Sequence, residues 1–247
     1  MNDEDPRIQR RVSRRDTLAL IGASGVALLT GARPTRAAGV ANAGAPPACV
    51  VRPAQTEGPF FVDDELQRSD IRADARDGSV KSGVPLRLRF QVSQGGNAAC
   101  APLAGVQVHV WHSDAAGAYS DPGERRVSKA SQQFLRGFQL TDATGGAEFL
   151  TIYPGWYQGR APHIHFKLRM AGASATARNR EFTSQLYFDD TLSDRVYATA
   201  PYARRGRQAV RNADDFIFRD GGEELLLATS RDGDGYAAAF AMAVQTT

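Results

Sequence analysis

Leu86-Arg87-Leu88-Arg89-Phe90-Gln91-Val92 alternates apolar and polar side chains without a break. Because successive side chains of a β-strand point to opposite faces of the sheet, this period of two predicts a strand with one buried face. Residues 106–110 and 164–170 repeat the pattern, and residues 148–153, 183–188, 215–219 and 223–229 are further strand candidates. Many short strands separated by Gly, Pro and Asp turns predict an all-β protein, an antiparallel β-sandwich. Residues 237–244 suit a helix by their alanines and a closing strand by their position.

The overall composition is that of a globular protein with a neutral body. Of 247 residues, 42% are hydrophobic and 23% are charged, and the formal net charge is +3. Residues 1–37 hold seven arginines and four acidic residues, so this stretch carries the whole excess of positive charge. A neutral body argues against nucleic acid as a partner.

The first 38 residues have the layout of an export signal. Arg14 and Arg15 directly precede an apolar run at residues 18–30, and small residues follow as far as Ala37 and Ala38. This order predicts a twin-arginine signal peptide over residues 1–38 and a periplasmic or secreted protein. A run of about 13 residues, roughly 20 Å as a helix, is too short for a stable membrane span. An amphipathic N-terminal helix of a cytoplasmic protein is the alternative.

The mature chain is predicted to be a short linker followed by one domain. Residues 39–55 are rich in Ala, Gly and Pro, which is typical of a linker, and residues 56–247 have the size of one domain. Cys49 and Cys100 are the two cysteines of the sequence. In an oxidising compartment a disulfide between them is the simplest interpretation, and two buried free thiols are the alternative.

Two histidines in one strand are the first indication of a metal site. His163 and His165 alternate with Ile164 and Phe166, so both imidazoles project from one face while the apolar side chains enter the core. Two imidazoles on one face can bind one metal ion, although exposed or hydrogen-bonded histidines would show the same spacing. His109 and His112 face opposite sides of their strand, and we expect His112 to be a structural hydrogen-bonding residue.

Two tyrosines are candidates for the remaining ligands. Tyr119 and Tyr157 each lie on a loop that leaves a predicted strand, and loops at the end of a sandwich commonly carry sites. A phenol has a pKa near 10, but a trivalent cation lowers it sharply. Two phenolates and two imidazoles would suit ferric iron. Taken singly, each tyrosine is also typical of a half-buried aromatic residue whose hydroxyl is hydrogen-bonded.

Seven segments together resemble the intradiol ring-cleavage dioxygenases, the non-haem ferric family that includes catechol and protocatechuate dioxygenases. They are Thr56-Glu57-Gly58-Pro59-Phe60, Arg68-Ser69-Asp70-Ile71-Arg72, Phe134-Leu135-Arg136-Gly137, Gln185-Leu186-Tyr187-Phe188 and residues 102–105, 111–120 and 153–166. The resemblance covers most of residues 55–190. It implies a prealbumin-like sandwich whose long loops carry the metal site, and an enzyme that uses O2 to cleave catechols between the two hydroxyl-bearing carbons, giving cis,cis-muconate-type products.

The resemblance also implies a role for each site residue. Matched residue by residue, the family's ligands to one Fe(III) per chain fall on Tyr119, Tyr157, His163 and His165. Tyr157 corresponds to the tyrosinate that departs when substrate binds, Arg160 to the arginine that stabilises negative charge on the ring, and Gln185 to the glutamine beside the substrate. The long helical dimerisation region of catechol dioxygenases is missing here, which leaves homo-oligomerisation open.

Two other functions fit parts of the sequence. Residues 102–106 and 141–145 also resemble turns of prealbumin-like carrier domains, so a secreted β-sandwich binding module without catalysis is one alternative. The other is a zinc hydrolase that uses His163 and His165 with a carboxylate as the third ligand. Neither alternative requires the two tyrosines, and a zinc protein would be colourless.

Overall fold

Two β-sheets pack against each other in the computed structural model, which describes residues 50–63, 65–95, 100–120, 132–170 and 181–245. The first sheet contains β1 (Pro85–Gly95), β2 (Ala101–Pro102), β5 (Gly146–Ile152), β8 (Thr229–Asp232) and β9 (Gly235–Gln245). The second contains β3 (Gln107–Trp111), β4 (Arg136–Leu140), β6 (His163–Arg169) and β7 (Glu181–Tyr187). The predicted all-β sandwich is confirmed.

The strand order places β1 and β6 inside their sheets. The first sheet has the order β2-β1-β9-β8, with β5 also paired to β1, and the second has the order β4-β3-β6-β7. All neighbours are antiparallel except β1 and β9, which run parallel in register from Leu86–Tyr236 to Gly95–Gln245. An interior strand has both edges hydrogen-bonded, so the backbone of β6 is a rigid support for its side chains.

The core lies between the two sheets and is lined by the alternating residues of the predicted strands. Leu86, Leu88, Phe90 and Val92 on β1 are fully buried, as are Ile164, Phe166 and Leu168 on β6. The Phe90 and Phe166 rings lie 5.4 Å apart, centroid to centroid, and join the two sheets. Burying a large apolar side chain contributes about 1.5–3 kcal/mol, so this double row stabilises the sandwich and sets its register.

The C-terminal part differs from the strand predictions at two segments. Residues 215–219 form a turn because both Ile217 and Phe218 donate their backbone N–H groups to the Asp215 carboxylate. Of the predicted strand 223–229, residues 223–225 belong to a short 3-10 helix, Gly222–Leu225, which follows Gly221 with its φ of +79°, and only Thr229 belongs to a strand, β8. Residues 237–244 belong to β9, where their small side chains alternate with buried ones and their backbone pairs with β1.

One α-helix, α1 (Asp190–Tyr197), follows β7 among the described residues. Its N-cap is Asp189, whose carboxylate accepts a hydrogen bond from the Leu192 backbone N–H. No helix within the described ranges is long and apolar enough to cross a membrane. The predicted signal peptide and Cys49 lie outside the described residues, whereas Cys100 is disulfide-bonded.

The described part of the predicted linker is attached to the domain. Arg52 donates hydrogen bonds to the backbone oxygens of Ala241 and Glu224, and the Gln55 side chain bonds those of Ile217 and Asp220. The Gln55 backbone N–H also donates to the Thr183 oxygen on β7, the edge strand of the second sheet. The chain then passes over the outer face of β6, where a Cβ on Gly58 would come within 3.3 Å of His165.

Candidate metal centre

The outer face of β6 presents His163 and His165 side by side. Their Nε2 atoms lie 3.1 Å apart, and their rings are nearly perpendicular at a centroid distance of 4.7 Å. Both are buried, with 2% and 1% of their surface exposed. His165 stacks on Trp111 of the neighbouring strand, with ring planes only 6° apart, which fixes its orientation. The strand geometry inferred from the sequence therefore points both imidazoles into one site.

The two tyrosines reach the same site from separate loops. The Tyr157 hydroxyl lies 3.1 Å from His163 Nε2. The Tyr119 ring lies 5.8 Å from the Tyr157 ring and 6.3 Å from His165, and its buried hydroxyl has no hydrogen-bond partner among the described residues. Phe60 stacks on Tyr119 at 4.0 Å and holds the ring in place. The structure thus brings together the four residues predicted to be metal ligands.

Glycines allow the two tyrosine loops to interlock. Gly117 has a φ of +79°, and a Cβ there would overlap the carbonyl oxygen of Trp156. In return, a Cβ on Gly155 would overlap the backbone of Asp114. The Gly155 backbone N–H donates to the Asp114 oxygen at 3.1 Å, and Ser113 Oγ donates to the Gly155 oxygen at 2.8 Å. The loops carrying Tyr119 and Tyr157 are consequently one packed unit.

The hydrogen bonds and burial of the imidazoles suit metal binding. His163 Nδ1 lies 2.7 Å from the Ala161 carbonyl oxygen, so it carries the proton and leaves the Nε2 lone pair facing the site. Burial, and then repulsion from Arg160, lowers the pKa of His163 to about 3. Burial followed by repulsion from His163 also lowers the pKa of His165 well below its usual value. Both rings are neutral near pH 7, which is the form that binds metals.

The phenols in turn need a cation to ionise. Burial raises the pKa of Tyr119 well above 10, with the neighbouring Tyr157 adding to the shift. Burial likewise raises the pKa of Tyr157, against the opposing effect of Arg160. Two neutral imidazoles and two phenols, one of which has a buried hydroxyl with no partner among the described residues, form a donor set that a trivalent cation satisfies. The residues present therefore fit ferric iron.

The described residues do not contain the ligand set of a zinc hydrolase. Within the described ranges, no three His, Cys, Asp or Glu side chains converge, as the zinc hydrolase alternative would require. His112 is a structural residue, as predicted: Nδ1 bonds the Ser113 oxygen and Nε2 bonds Thr151 Oγ1. His109 stacks on Phe138 and bonds Gln107, away from the four donors.

Arg160 and Gln185 form the polar wall beside the donors. Arg160 Nη1 lies 3.4 Å from His163 Nε2, and Nη2 donates to Gln185 Oε1 at 2.5 Å and to the Tyr187 hydroxyl at 3.3 Å. Gln185 is fully buried, and its Nε2 donates to the Thr56 oxygen. All six residues predicted for the site thus lie in one cluster.

Two members of this wall, Asp215 and Tyr187, were not predicted from the sequence. Asp215 pairs with Arg160 Nε at 2.9 Å. The Tyr187 hydroxyl donates its hydrogen to Oε1 of Gln55, at 2.9 Å, or of Gln185, at 3.1 Å. Asp215 is 55 residues from its partner in the sequence. Nothing in the spacing could reveal the pair, although Asp is depleted in strands and Asp214 and Asp215 stand together where the strand 215–219 was predicted to begin.

Residues 56–61 close the outer side of the cluster. Gly58 has a φ of +70° and lies against His165, since a Cβ there would come within 3.3 Å of the ring. Lys167, two residues after His165 on the same face, pairs with Glu57 and with Glu181 and lies 4.0 Å from the centre of the Phe61 ring. A buried ammonium between two carboxylates anchors this segment over the site.

Sequence comparisons find proteins that are similar to this chain. The sequence model of a protein family described as Dioxygenase matches residues 56–217. The protocatechuate 3,4-dioxygenase beta chain of Burkholderia cepacia is 34% identical over 150 residues, which cover 54% of this chain and 60% of that relative. The chain thus spans less than two thirds of that relative's length.

Two solved structures share the architecture. An intradiol ring-cleavage dioxygenase from Tetranychus urticae superposes with a TM-score of 0.66 at 26% identity, over 80% of this chain and 95% of its own. The dioxygenase domain of a dioxygenase carbohydrate-binding protein fusion from Streptomyces sp. SirexAA-E gives 0.57 at 30% identity, over 80% of this chain and 100% of its own.

Proposed function

Since this chain belongs to the dioxygenase family whose model matches residues 56–217, we propose that it is a non-haem Fe(III) enzyme that cleaves catechols with O2. The ring bond between the two hydroxyl-bearing carbons breaks, and the products are cis,cis-muconate-type dicarboxylates. The observation that carries the proposal is the convergence of Tyr119, Tyr157, His163 and His165 on one buried point. Neither a binding module nor a carboxylate zinc site needs two phenols beside two neutral imidazoles.

The four donors are proposed to hold one Fe(III) per chain. When bound, ferric iron supplies a Lewis-acid centre that a catechol chelates through both oxygens and that makes the ring reactive towards O2. His163 and His165 are neutral nitrogen donors whose orientation is fixed by the Ala161 carbonyl and by Trp111. Tyr119 is the enclosed phenol, and Phe60 keeps it in place.

Tyr157 is proposed to act as the base that receives a proton from the substrate. It precedes two exposed residues, Gln158 and Gly159, so it lies towards the open side of the site, whereas the Tyr119 hydroxyl is buried. Its hydroxyl lies 3.1 Å from His163 Nε2 in a part-buried position, and it is proposed to reach a hydroxyl group of the bound diol. A positioned base of this kind contributes typically 10²–10⁴-fold to a rate.

Arg160 and Gln185 are proposed to act on the ring. The guanidinium is permanently charged and is held against the imidazole cluster, so it stabilises negative charge that develops on the substrate. Gln185 orients Arg160 through its side-chain oxygen and is tied to the backbone of Thr56 through its nitrogen. Arg160 and Gln185 are thus proposed to line the site beside the bound ring. Their hydrogen bonds keep the positive charge in one position before the substrate binds.

Diol cleavage is tested directly with the full-length protein. Iron per chain is measured first, and catechol, protocatechuate, hydroxyquinol and chlorinated catechols are then compared by oxygen uptake and product absorbance. We expect about one iron per chain, visible absorption from tyrosinate, and uptake of one O2 per diol cleaved. A colourless, iron-free protein that consumes no O2 with any diol contradicts the proposal and favours the binding module.

We further propose that the protein is exported through the twin-arginine route. Arg14 and Arg15, the apolar run at 18–30 and the alanines at 37 and 38 support this. Mass spectrometry of the exported protein should find a mature N-terminus near residue 38 or 39. Changing both arginines to lysine should retain the protein inside the cell, and secretion of an unprocessed chain that begins at Met1 contradicts the assignment.

A further inference from the structure

Asp215 is a fully buried carboxylate whose hydrogen-bonding capacity is saturated. Oδ2 accepts hydrogen bonds from Arg160 Nε and from the Ala161 backbone N–H, both at 2.9 Å. Oδ1 accepts from the backbone N–H groups of Ile217 at 2.8 Å and Phe218 at 3.3 Å. Two donors to each oxygen compensate the charge of a side chain with no exposed surface. The carboxylate therefore has one well-defined position.

The contact with Asp215 determines where the cationic end of Arg160 points. A guanidinium group is planar and rigid, so fixing its Nε–H direction also fixes the directions of both terminal nitrogens. In this orientation Nη2 meets Gln185 Oε1 and Nη1 lies 3.4 Å from His163 Nε2. Among the described residues, Asp215 is the carboxylate that pairs with Arg160, and its other partners are neutral.

We propose that Asp215 is a positioning residue for the reaction, acting through Arg160. This inference rests on the proposed function, because it concerns the charge that Arg160 presents to the ring. Without the carboxylate the guanidinium keeps its charge but loses the partner that fixes its direction. A displacement of about 1 Å at such a group can cost about 100-fold in rate. The four hydrogen bonds of the Asp215 carboxylate go to Arg160 and to the backbone, and none of them goes to the four donors or to Gln185.

A double-mutant cycle separates positioning from general stability. The iron-loaded full chain is prepared as wild type, Asp215→Asn, Arg160→Ala and the double variant, and kcat, KM, iron content and visible absorption are measured with the best diol. We expect Asp215→Asn to lower kcat about 10–100-fold and to change KM less than about 3-fold, with iron and colour retained. In the Arg160→Ala background the same change should cost less than about 2-fold, because Asp215 acts through the missing side chain.

Asp74→Asn is the matched control. Asp74 is also buried, at 2% exposure, and accepts backbone hydrogen bonds from Arg76 and Gln133. The substitution removes the same charge and should lower stability without changing kcat per iron. Equal losses of kcat in the two single variants, or additive losses in the cycle, would assign Asp215 a structural role and overturn the proposal.

Two further measurements keep the test decisive. Crystal structures of wild type and Asp215→Asn should show that the contact between Arg160 Nη2 and Gln185 Oε1 is lost, and an unmoved guanidinium overturns the inference. If the wild type shows neither iron nor turnover, the proposed function has failed, while the crystal structures still decide whether Asp215 holds Arg160. If Asp215→Asn does not fold, Arg160→Lys takes its place: it keeps the charge but cannot bond Asp215 and Gln185 together, and near-normal kcat would contradict positioning.

Discussion

Replacing Tyr119 by Phe should change stability in opposite directions with and without metal. In the metal-free protein the Tyr119 hydroxyl is buried and has no hydrogen-bond partner among the described residues, whereas that of Tyr157 lies 3.1 Å from His163 Nε2. A buried polar group without a partner costs about 1–3 kcal/mol, and a made hydrogen bond contributes about 1 kcal/mol. The ring of Tyr119 stays stacked on Phe60 in the Phe variant, so its apolar contacts are kept.

The expected magnitudes follow from these two contacts. Metal-free Tyr119→Phe should be about 1 kcal/mol more stable than wild type, which corresponds to a rise in Tm of about 2–4 °C for a domain of this size. Metal-free Tyr157→Phe should be about 1 kcal/mol less stable. After loading with Fe(III) the order should reverse for Tyr119→Phe, because the substitution removes an enclosed ligand and binding no longer stabilises the fold as strongly.

Calorimetry of chelator-treated and iron-loaded protein measures both effects in the same samples. Tyr197→Phe is a suitable control, since the Tyr197 hydroxyl bonds the Pro154 oxygen and lies outside the donor set. The Tm of this control should shift by the same amount in both states. Loss of 1 kcal/mol or more in metal-free Tyr119→Phe, or an unchanged iron affinity, would refute the account of this residue.

Three other perturbations follow from the packing and charge of the site. Burial holds the pKa of both His109 and His112 at about 4 rather than 6.5, so the unfolded chain binds more protons between these values. The free energy of unfolding of the metal-free protein should therefore fall as the pH drops from 6.5 to 4, by up to about 3 kcal/mol per histidine. Equal free energies of unfolding in urea titrations at pH 7 and pH 4 would contradict this. Lys167→Met should lower the free energy of unfolding by about 2 kcal/mol, because it leaves Glu57 and Glu181 without the buried ammonium. Arg87→Met, which removes two exposed salt bridges, should change the urea midpoint much less. Gly117→Ala should lose iron because its Cβ meets the Trp156 carbonyl, and Gly105→Ala, with a similar φ of +76° and open space, should lose about 1 kcal/mol of stability but keep iron.

Local patterns in the sequence were sufficient for the strands that form the core. The alternation of apolar and polar residues in β1 and β6 predicts which face of each strand is buried. His163 and His165 point to the same side of β6 because they are two residues apart in the same strand. Tyr119 and Tyr157 were placed through resemblance, because loop geometry has no period. The two tyrosine loops come close because Gly117 lies against the Trp156 backbone and Gly155 against the Asp114 backbone, and such tertiary contacts cannot be seen in a local pattern.

Other features depend on contacts that are distant in the sequence. β9 resembles a helix in its alanine content, and its parallel pairing with β1 decides the outcome. Residues 215–219 have the composition of a strand, but the Asp215 carboxylate bonds the local backbone and ends any extended run. The same side chain pairs with Arg160, so the segment that was wrongly predicted is also the one that adds a residue to the site.

A spectroscopic titration with Fe(III) tests whether Tyr119, Tyr157, His163 and His165 together bind one ferric ion. Metal-free full-length protein is titrated with Fe(III) while visible absorption is recorded, alongside the Tyr119→Phe Tyr157→Phe double variant and Tyr197→Phe. We expect a tyrosinate band that saturates at about one iron per chain in the wild type and in Tyr197→Phe, and no such band in the double variant. A band of equal intensity in the double variant, or its absence from iron-loaded wild type, would contradict the claim.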